Sequence, residues 1–325
     1  MSPLSCYITF LLLIGQLSYV LSQYIPNTSE NFLLTASNSG SRISKEKIQY
    51  GGGTIISKIK VFVVFWGGLN NVIHADRYIK FYKDLVDSPY FDWIADEYST
   101  KSQTIQKGDF IGYYSYQNAP QGNVSDKTIQ TTLANLINYG DIPSPDDNTY
   151  FAIHFTPNTT INVFNVKSCA VGGFCSYHSS IKVGRVIYGV MPDFSGSCLQ
   201  MCGKGTSWDI GTSAASHEFL EVITNPFFFE LAWGEINGNS IQELADNCNQ
   251  EQYLYQTNNG MQYTLQKMWS NKYESCYVTS PNNITNSMPT QINNEILQVN
   301  AAKVVSLDLL IFFLAFGAGF FITIV

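Results

Sequence analysis

One short stretch of the chain carries side chains that could bind a metal ion. His217 and Glu221 are four residues apart, so a helix would place them on the same face, one turn apart. Glu218 follows the histidine directly, where the general base stands in the H-E-x-x-H motif of metalloproteases. Here glutamate replaces the second histidine, and a carboxylate can also ligate Zn²⁺. The pattern H-E-x-x-E therefore predicts a metal-binding helix of the zincin type.

A catalytic zinc site needs three protein ligands and one open position. Glu243 and Asp246 lie 26 and 29 residues after His217, in a segment that contains Cys248. A disulfide at Cys248 would pin this segment, which favours Asp246 as the third ligand. Glu243 would then be its neighbour or the ligand itself. With a metal in place, the sequence predicts Glu218 as the catalytic base.

His178 is a second candidate catalytic residue, because it could polarise a substrate carbonyl or serve as a further ligand. A histidine in a loop between cysteines is also typical of a purely structural role. Ca²⁺ is the alternative to Zn²⁺, since it prefers oxygen ligands. In that case Glu221 and Asp246 would be the ligands, His217 a neighbour, and the site structural.

The sequence also bears on two other types of hydrolase. The chain has no G-x-S-x-G motif, which argues against a serine hydrolase of the α/β type. A glycosidase needs two carboxylates at a defined separation, and tryptophans could stack on sugar rings. The candidate carboxylates are Glu218, Glu221, Glu243 and Asp246, and the candidate tryptophans are Trp208, Trp233 and Trp269.

The cysteines indicate an exported protein. Cys6 belongs to the N-terminal segment, which leaves an even number for disulfides. Proximity in the sequence favours the pairs Cys198–Cys202, Cys169–Cys175 and Cys248–Cys276. The alternative is a Cys₂His₂ zinc site built from Cys169, Cys175, Cys198 and His178, which an oxidising compartment disfavours.

Both ends of the chain carry targeting signals. Residues 1–22 are typical of a signal peptide, and 23–50 of a flexible arm. The hydrophobic segment 304–325, uncharged from Leu309 to its last residue, follows a polar linker, 281–303, with small residues at 300–302. This order is typical of a GPI-attachment signal. A single-pass anchor is the alternative, although no basic residue follows the segment. The predicted location is the extracellular face of the plasma membrane, or secretion.

Bulk composition excludes some partners. The net charge is −7 and the isoelectric point about 5.1, so no basic surface is expected for nucleic acid. Glycosylation sequons fit a protein outside the cell. They begin at Asn27, Asn123, Asn158 and Asn283.

Apolar periodicity predicts strands at 58–66, 150–155 and 185–191. It also predicts helices within 75–97, broken near Pro89, and at 126–139, with the motif helix at 213–224. We therefore expect an α+β domain over 51–280 in which helices back a mixed β-sheet, stabilised by disulfides and zincin-like in layout.

The sequence resembles the phosphate-induced protein 1 (Exordium-like) family over 51–276. The segments that carry the resemblance include H-E-x-x-E-x-x-T-N-P at 217–226 and E-x-x-D-x-C at 243–248. The others are 58–67, 174–178, 198–202, 232–234 and 265–271. The resemblance implies an extracellular protein, linked in plants to the cell wall and growth. The chain departs from the pattern at Ser176 and Tyr177, where Gly-Trp is usual.

Together these observations predict a membrane-tethered, extracellular metal-dependent hydrolase, peptidase-like, with Zn²⁺ as cofactor. A peptide or a glycan is the expected substrate, and the C-terminal segment the contact with the membrane. The alternative is a non-catalytic cell-surface or cell-wall binding module, with a structural metal or none.

Overall fold

The computed structural model describes residues 47–237, 240–257 and 260–280. The predicted signal peptide, polar linker and apolar C-terminal segment lie outside these residues. Of the predicted arm only 47–50 are described, and Gln49–Tyr50 form a short strand, β1. Among the described residues, no helix is both long and apolar enough to span a membrane.

A five-stranded mixed sheet forms the centre of the fold. Its strands are β2 (Lys58–Trp66), β3 (Gln106–Tyr116), β5 (Thr149–Phe155), β8 (Tyr177–Ile181) and β9 (Val186–Met191). They lie in the order β3-β2-β5-β9-β8. The first four are parallel, and β8 at the edge pairs antiparallel with β9.

Successive residues of β2 pack into two separate cores, as the pleat of a strand requires. Val61, Val63 and Phe65 belong to one core, and Val64 and Trp66 to the other. Both faces of the sheet are therefore covered, which explains the continuous apolar run in the sequence.

Helices cover both faces. The first core receives α1 (Ala75–Leu85), α2 (Phe91–Tyr98) and α5 (Ser207–Thr224), and the second receives α3 (Asp126–Tyr139). A short helix, α4 (Cys198–Met201), precedes α5.

Within the described residues, shorter strands form four small sheets. The strands are β4 (Asn123–Ser125), β6 (Thr160–Val163), β7 (Val166–Lys167), β10 (Trp233–Asn237), β11 (Ser240–Gln242), β12 (Gln252–Gln256), β13 (Gln262–Gln266), β14 (Met268–Ser270) and β15 (Ser275–Tyr277). One sheet has the order β1-β10-β11, another β4-β6-β7, and the remaining two pair β12 with β13 and β14 with β15.

The helix that carries the metal-binding motif is longer than predicted. It begins at Ser207 rather than at 213, because Thr206 and Asp209 form a reciprocal capping box at its start. It ends at Thr224, as predicted, just before Asn225 and Pro226. The helix is buried on nearly all sides between the main sheet and strand β13.

Three disulfides stabilise the domain, as expected, but two of the predicted pairings are wrong. Cys248 pairs with Cys276, which confirms that prediction, with Cα atoms 5.8 Å apart. The other two bonds join Cys169 to Cys198 and Cys175 to Cys202. Both ends of the turn α4 are thereby tied to the loop before β8. The alternative zinc site of cysteines with His178 is also wrong, since these cysteines are oxidised in pairs.

Candidate metal centre

Three ligand-type atoms converge where α5 meets the segment after β11. Nε2 of His217 lies 3.1 Å from Oε1 of Glu221 and 3.8 Å from Oδ1 of Asp246. The first two side chains share a face because they are one helical turn apart. Asp246 stands at the start of a 3₁₀ turn that ends at Cys248, where the disulfide fixes it. The predicted set His217, Glu221 and Asp246 is therefore brought together.

A second group lies on the other side of Glu221. Nδ1 of His178 is 3.3 Å from Oε2 of Glu218 and 3.6 Å from Oε2 of Glu221. His178 belongs to the edge strand β8 and stands opposite Gly189 of β9. A Cβ on Gly189 would overlap the hydroxyl of Tyr150, so glycine is required at this contact.

Glu243 joins the second group from the opposite side of the imidazole. Its Oε1 lies 3.7 Å from Nε2 of His178 and accepts a hydrogen bond of 2.9 Å from the side-chain amide of Asn225. The amide oxygen of Asn225 accepts in turn from the backbone N–H of Ala232. Asp246 accepts from the backbone N–H of Glu243, which links the two acids of this segment. All six predicted site residues therefore lie in one cluster.

The cluster is almost completely removed from solvent. The side chains of His178, Glu221 and Glu243 are 0 % exposed, whereas His217 and Asp246 keep 7 % and 9 %. Neither oxygen of Glu221 accepts a hydrogen bond, and Oε2 of Glu243 accepts none. Buried carboxylate oxygens without donors are costly unless a cation compensates them. The remaining solvent exposure of the cluster is at His217 and Asp246.

Burial and charge oppose each other at the two histidines. Burial alone would lower the pKa of His217, but Glu221 and the neighbouring carboxylates outweigh it and raise the pKa to about 10. Burial would likewise lower the pKa of His178, and Glu243, Glu218 and Glu221 raise it well above its ordinary value. Without a metal, the carboxylates thus hold both rings in the charged form.

The carboxylates divide into two types. Burial would raise the pKa of Glu221, but His217 and His178 lower it to about 2. Burial raises the pKa of Asp246 to about 7, with repulsion from Glu221 acting in the same direction. The pKa of Glu243 is raised for the same reasons. Some acids of the cluster therefore hold protons that a divalent cation could displace.

Gln266 of β13 orients the ring of His217. Its amide lies 2.8 Å from Nδ1 of His217 and donates to the carbonyl of Ala245. A metal on Nε2 leaves the ring hydrogen on Nδ1, and so does the charged ring. In both states the amide oxygen of Gln266, rather than its NH₂ group, is the partner that suits Nδ1.

A loop with three consecutive phenylalanines covers His178. Phe228 stacks on the imidazole with ring centroids 4.8 Å apart. Arg185 holds this loop: its guanidinium lies 3.8 Å from the ring centroid of Phe227 and donates to Glu230 at 2.7 Å. It also donates to Asp147 at 2.8 Å. The loop over His178 is thus held in place by the partly exposed guanidinium of Arg185.

The structure does not favour the alternative that uses sugar-stacking tryptophans. Trp208 and Trp269 are buried in the first core, so they offer no open face, and Trp233 is half-buried. His154 and His74 lie apart from the cluster. His154 is buried and bonded to Tyr82, and His74 is half-buried beside Ser207.

Sequence reasoning missed Asn225, Gln266 and Phe228 as parts of the site. Asn225 stands in the motif string itself, so its position directly after helix α5 was a usable signal. Gln266 and Phe228 come close to the cluster only through long-range packing.

Comparisons with known protein families, with curated proteins and with solved structures found no match.

Proposed function

We propose that the chain is an extracellular metal-dependent hydrolase, peptidase-like, with a zincin-like architecture. The observation that carries the proposal is the spacing of the ligand atoms. Ligands about 2.0–2.1 Å from a tetrahedral Zn²⁺ lie about 3.3 Å apart. The distances from Nε2 of His217 to the oxygens of Glu221 and Asp246, 3.1 and 3.8 Å, bracket that value.

The set of two carboxylates and one imidazole suits Zn²⁺ better than Ca²⁺. Ca²⁺ takes six to eight oxygen ligands, whereas zinc accepts nitrogen and oxygen in fourfold coordination. When bound, the ion would supply Lewis-acid activation of water and of a substrate carbonyl. Glu218, next to His217 on the helix, would take the proton from the attacking water. A substrate would approach on the side of His217 and Asp246.

The zincin-like assignment is supported by the order of the elements. A buried helix with the motif follows the last parallel strand, and an antiparallel edge strand lies beside it. The three disulfides support an oxidising location, as an exported member of the phosphate-induced protein 1 family would have. We extend the proposal to attachment at the outer face of the membrane through the C-terminal segment.

A second candidate function is a non-catalytic surface module with a structural metal. The observation that favours it is the depth of the cluster, since Glu218 is only 2 % exposed. A structural site is closed, whereas a catalytic one keeps a position for substrate.

The Glu218→Gln variant decides between the two. We expect it to retain one tightly bound zinc per chain and to lose kcat/KM on a mixture of unstructured peptides by more than about 100-fold. Glu251→Gln is the matched control. It changes a partly exposed glutamate just before strand β12 and should keep full activity. Zinc bound without any hydrolysis by the wild type would support the structural module. Absence of bound zinc would refute both.

A further inference from the structure

Glu221 lies between two imidazoles and presents one oxygen to each. Oε1 faces Nε2 of His217 at 3.1 Å, and Oε2 faces Nδ1 of His178 at 3.6 Å. The side chain is fully buried, and neither oxygen accepts a hydrogen bond. A carboxylate placed in this way can bridge two cations, which in two-metal sites lie about 3.5–4 Å apart.

The surroundings of His178 determine which of its nitrogens can bind a cation. Its Nε2 lies 3.3 Å from the backbone carbonyl oxygen of Asn225. A carbonyl only accepts, so Nε2 carries a hydrogen in the neutral and the charged ring alike, and Nδ1, which points at two carboxylates, is the nitrogen that a metal could take. Metal-binding histidines commonly donate their other N–H to a backbone carbonyl in this way.

The spacing around Nδ1 also fits a metal. Nδ1 lies 3.3 Å from Oε2 of Glu218 and 3.6 Å from Oε2 of Glu221. These distances are close to the separation of about 3.3 Å expected for two ligands of one zinc ion. Three electron-rich atoms that face one another in a buried space need a cation between them, either a proton or a metal.

Charge balance is compatible with two ions. The cluster contains four carboxylates, from Glu218, Glu221, Glu243 and Asp246, and two histidines. If the carboxylates are ionised and the imidazoles neutral, two divalent cations balance the charge, whereas with one ion two protons must stay on the cluster. Uncompensated buried charge is strongly unfavourable.

We propose that Nδ1 of His178, Glu218 and Oε2 of Glu221 form a second binding position for a divalent ion of the zinc class, and that Glu221 bridges it to the first. This second position depends on the proposed function only in that the first position, at His217, Glu221 and Asp246, binds zinc. Glu218 cannot ligate an ion and accept a proton from water at the same time. Occupation of the second position therefore inhibits hydrolysis, so activity rises with the first equivalent of zinc and falls with the second.

The test counts zinc in the full-length protein at a series of buffered free zinc concentrations. We expect two equivalents per chain, and the weaker one loses at least about 10-fold in affinity in His178→Gln. His74→Gln, which removes a histidine outside the cluster, is the control and keeps both. Zinc X-ray absorption of the doubly loaded wild type should contain a zinc–zinc distance of about 3.5–4 Å, which the His178 variant lacks.

Circular dichroism checks that the variant is folded. If His178→Gln does not fold, Glu218→Gln provides the same count, since it keeps the first equivalent and loses the second. One equivalent in the wild type, or two that neither substitution affects, overturns the second position and leaves the proposed function standing. No zinc at all removes both proposals.

Discussion

The disulfide between Cys248 and Cys276 offers a direct test of how Asp246, the proposed third metal ligand, is held. It fixes the 3₁₀ turn that carries Asp246 and closes a loop of 28 residues. Loop closure of this length stabilises a protein by about 3.5 kcal/mol at 25 °C. Replacing both cysteines with serine should lower the free energy of unfolding by about that amount.

The disulfide between Cys175 and Cys202 is a matched control. It closes 27 residues, so its loss should lower stability by about the same 3.5 kcal/mol. It ties the loop before β8 to the end of α4 and does not touch Asp246. The two double variants should therefore be equally destabilised and yet differ in metal binding.

If the protein binds zinc as proposed, the affinity for the tightest zinc ion should differ between the two variants. Loss of groups that hold a metal ligand in place typically lowers affinity about 10- to 100-fold. We expect this loss when Cys248 and Cys276 are replaced, and an unchanged affinity when Cys175 and Cys202 are replaced. Urea unfolding followed by tryptophan fluorescence gives the stability, and competition with a chromophoric chelator gives the affinity. An equal change of affinity in both variants would refute the assigned role of the turn.

Two further predictions concern the stability of the fold. Burial lowers the pKa of His154 to about 3, so the unfolded chain binds one more proton between that pH and about 6.5. The free energy of unfolding of the wild type should therefore fall by about 1.4 kcal/mol per pH unit on acidification through this range. His154→Gln should not show this contribution to the pH dependence. Urea unfolding at pH 6.5 and 4.5 measures it, and an identical slope in the variant contradicts it. Asn225→Ala leaves Glu243 and the N–H of Ala232 without partners, and should lower the unfolding free energy by about 2–4 kcal/mol. A loss below about 1 kcal/mol by the same method contradicts that assignment.

Local patterns predicted the elements whose signal is periodic. The strand Lys58–Trp66 and the helix Asp126–Tyr139 have the predicted bounds, because an apolar run and a 3.6-residue period identify them. Strand β3 was missed because it lies at an edge of the sheet and reads as polar, with Gly108 and Gly112 in its interior. Glycines and exposed positions remove the alternation by which a strand is recognised.

The candidate site was predictable where its geometry is local. His217 and Glu221 share a helix face by their spacing alone, and the disulfide at Cys248 brought in Asp246. The position of His178 depends on the pairing of β8 with β9, which no local pattern specifies. The same holds for the two mispredicted disulfides. Cys198 and Cys202 are near in sequence, yet each reaches across to the loop before β8.

The phenylalanine loop over His178 is held by the ion pair of Arg185 with Glu230, so the exchange of the cluster with solvent should depend on the strength of that pair. Arg185 and Glu230 are 31 % and 33 % exposed, so dissolved ions screen their attraction. The phenylalanine loop should consequently lift more often at high ionic strength, while the disulfides and the buried helix stay in place. The rate at which ions and small molecules enter the cluster would then depend on the ionic strength of the solution rather than on the global stability of the domain.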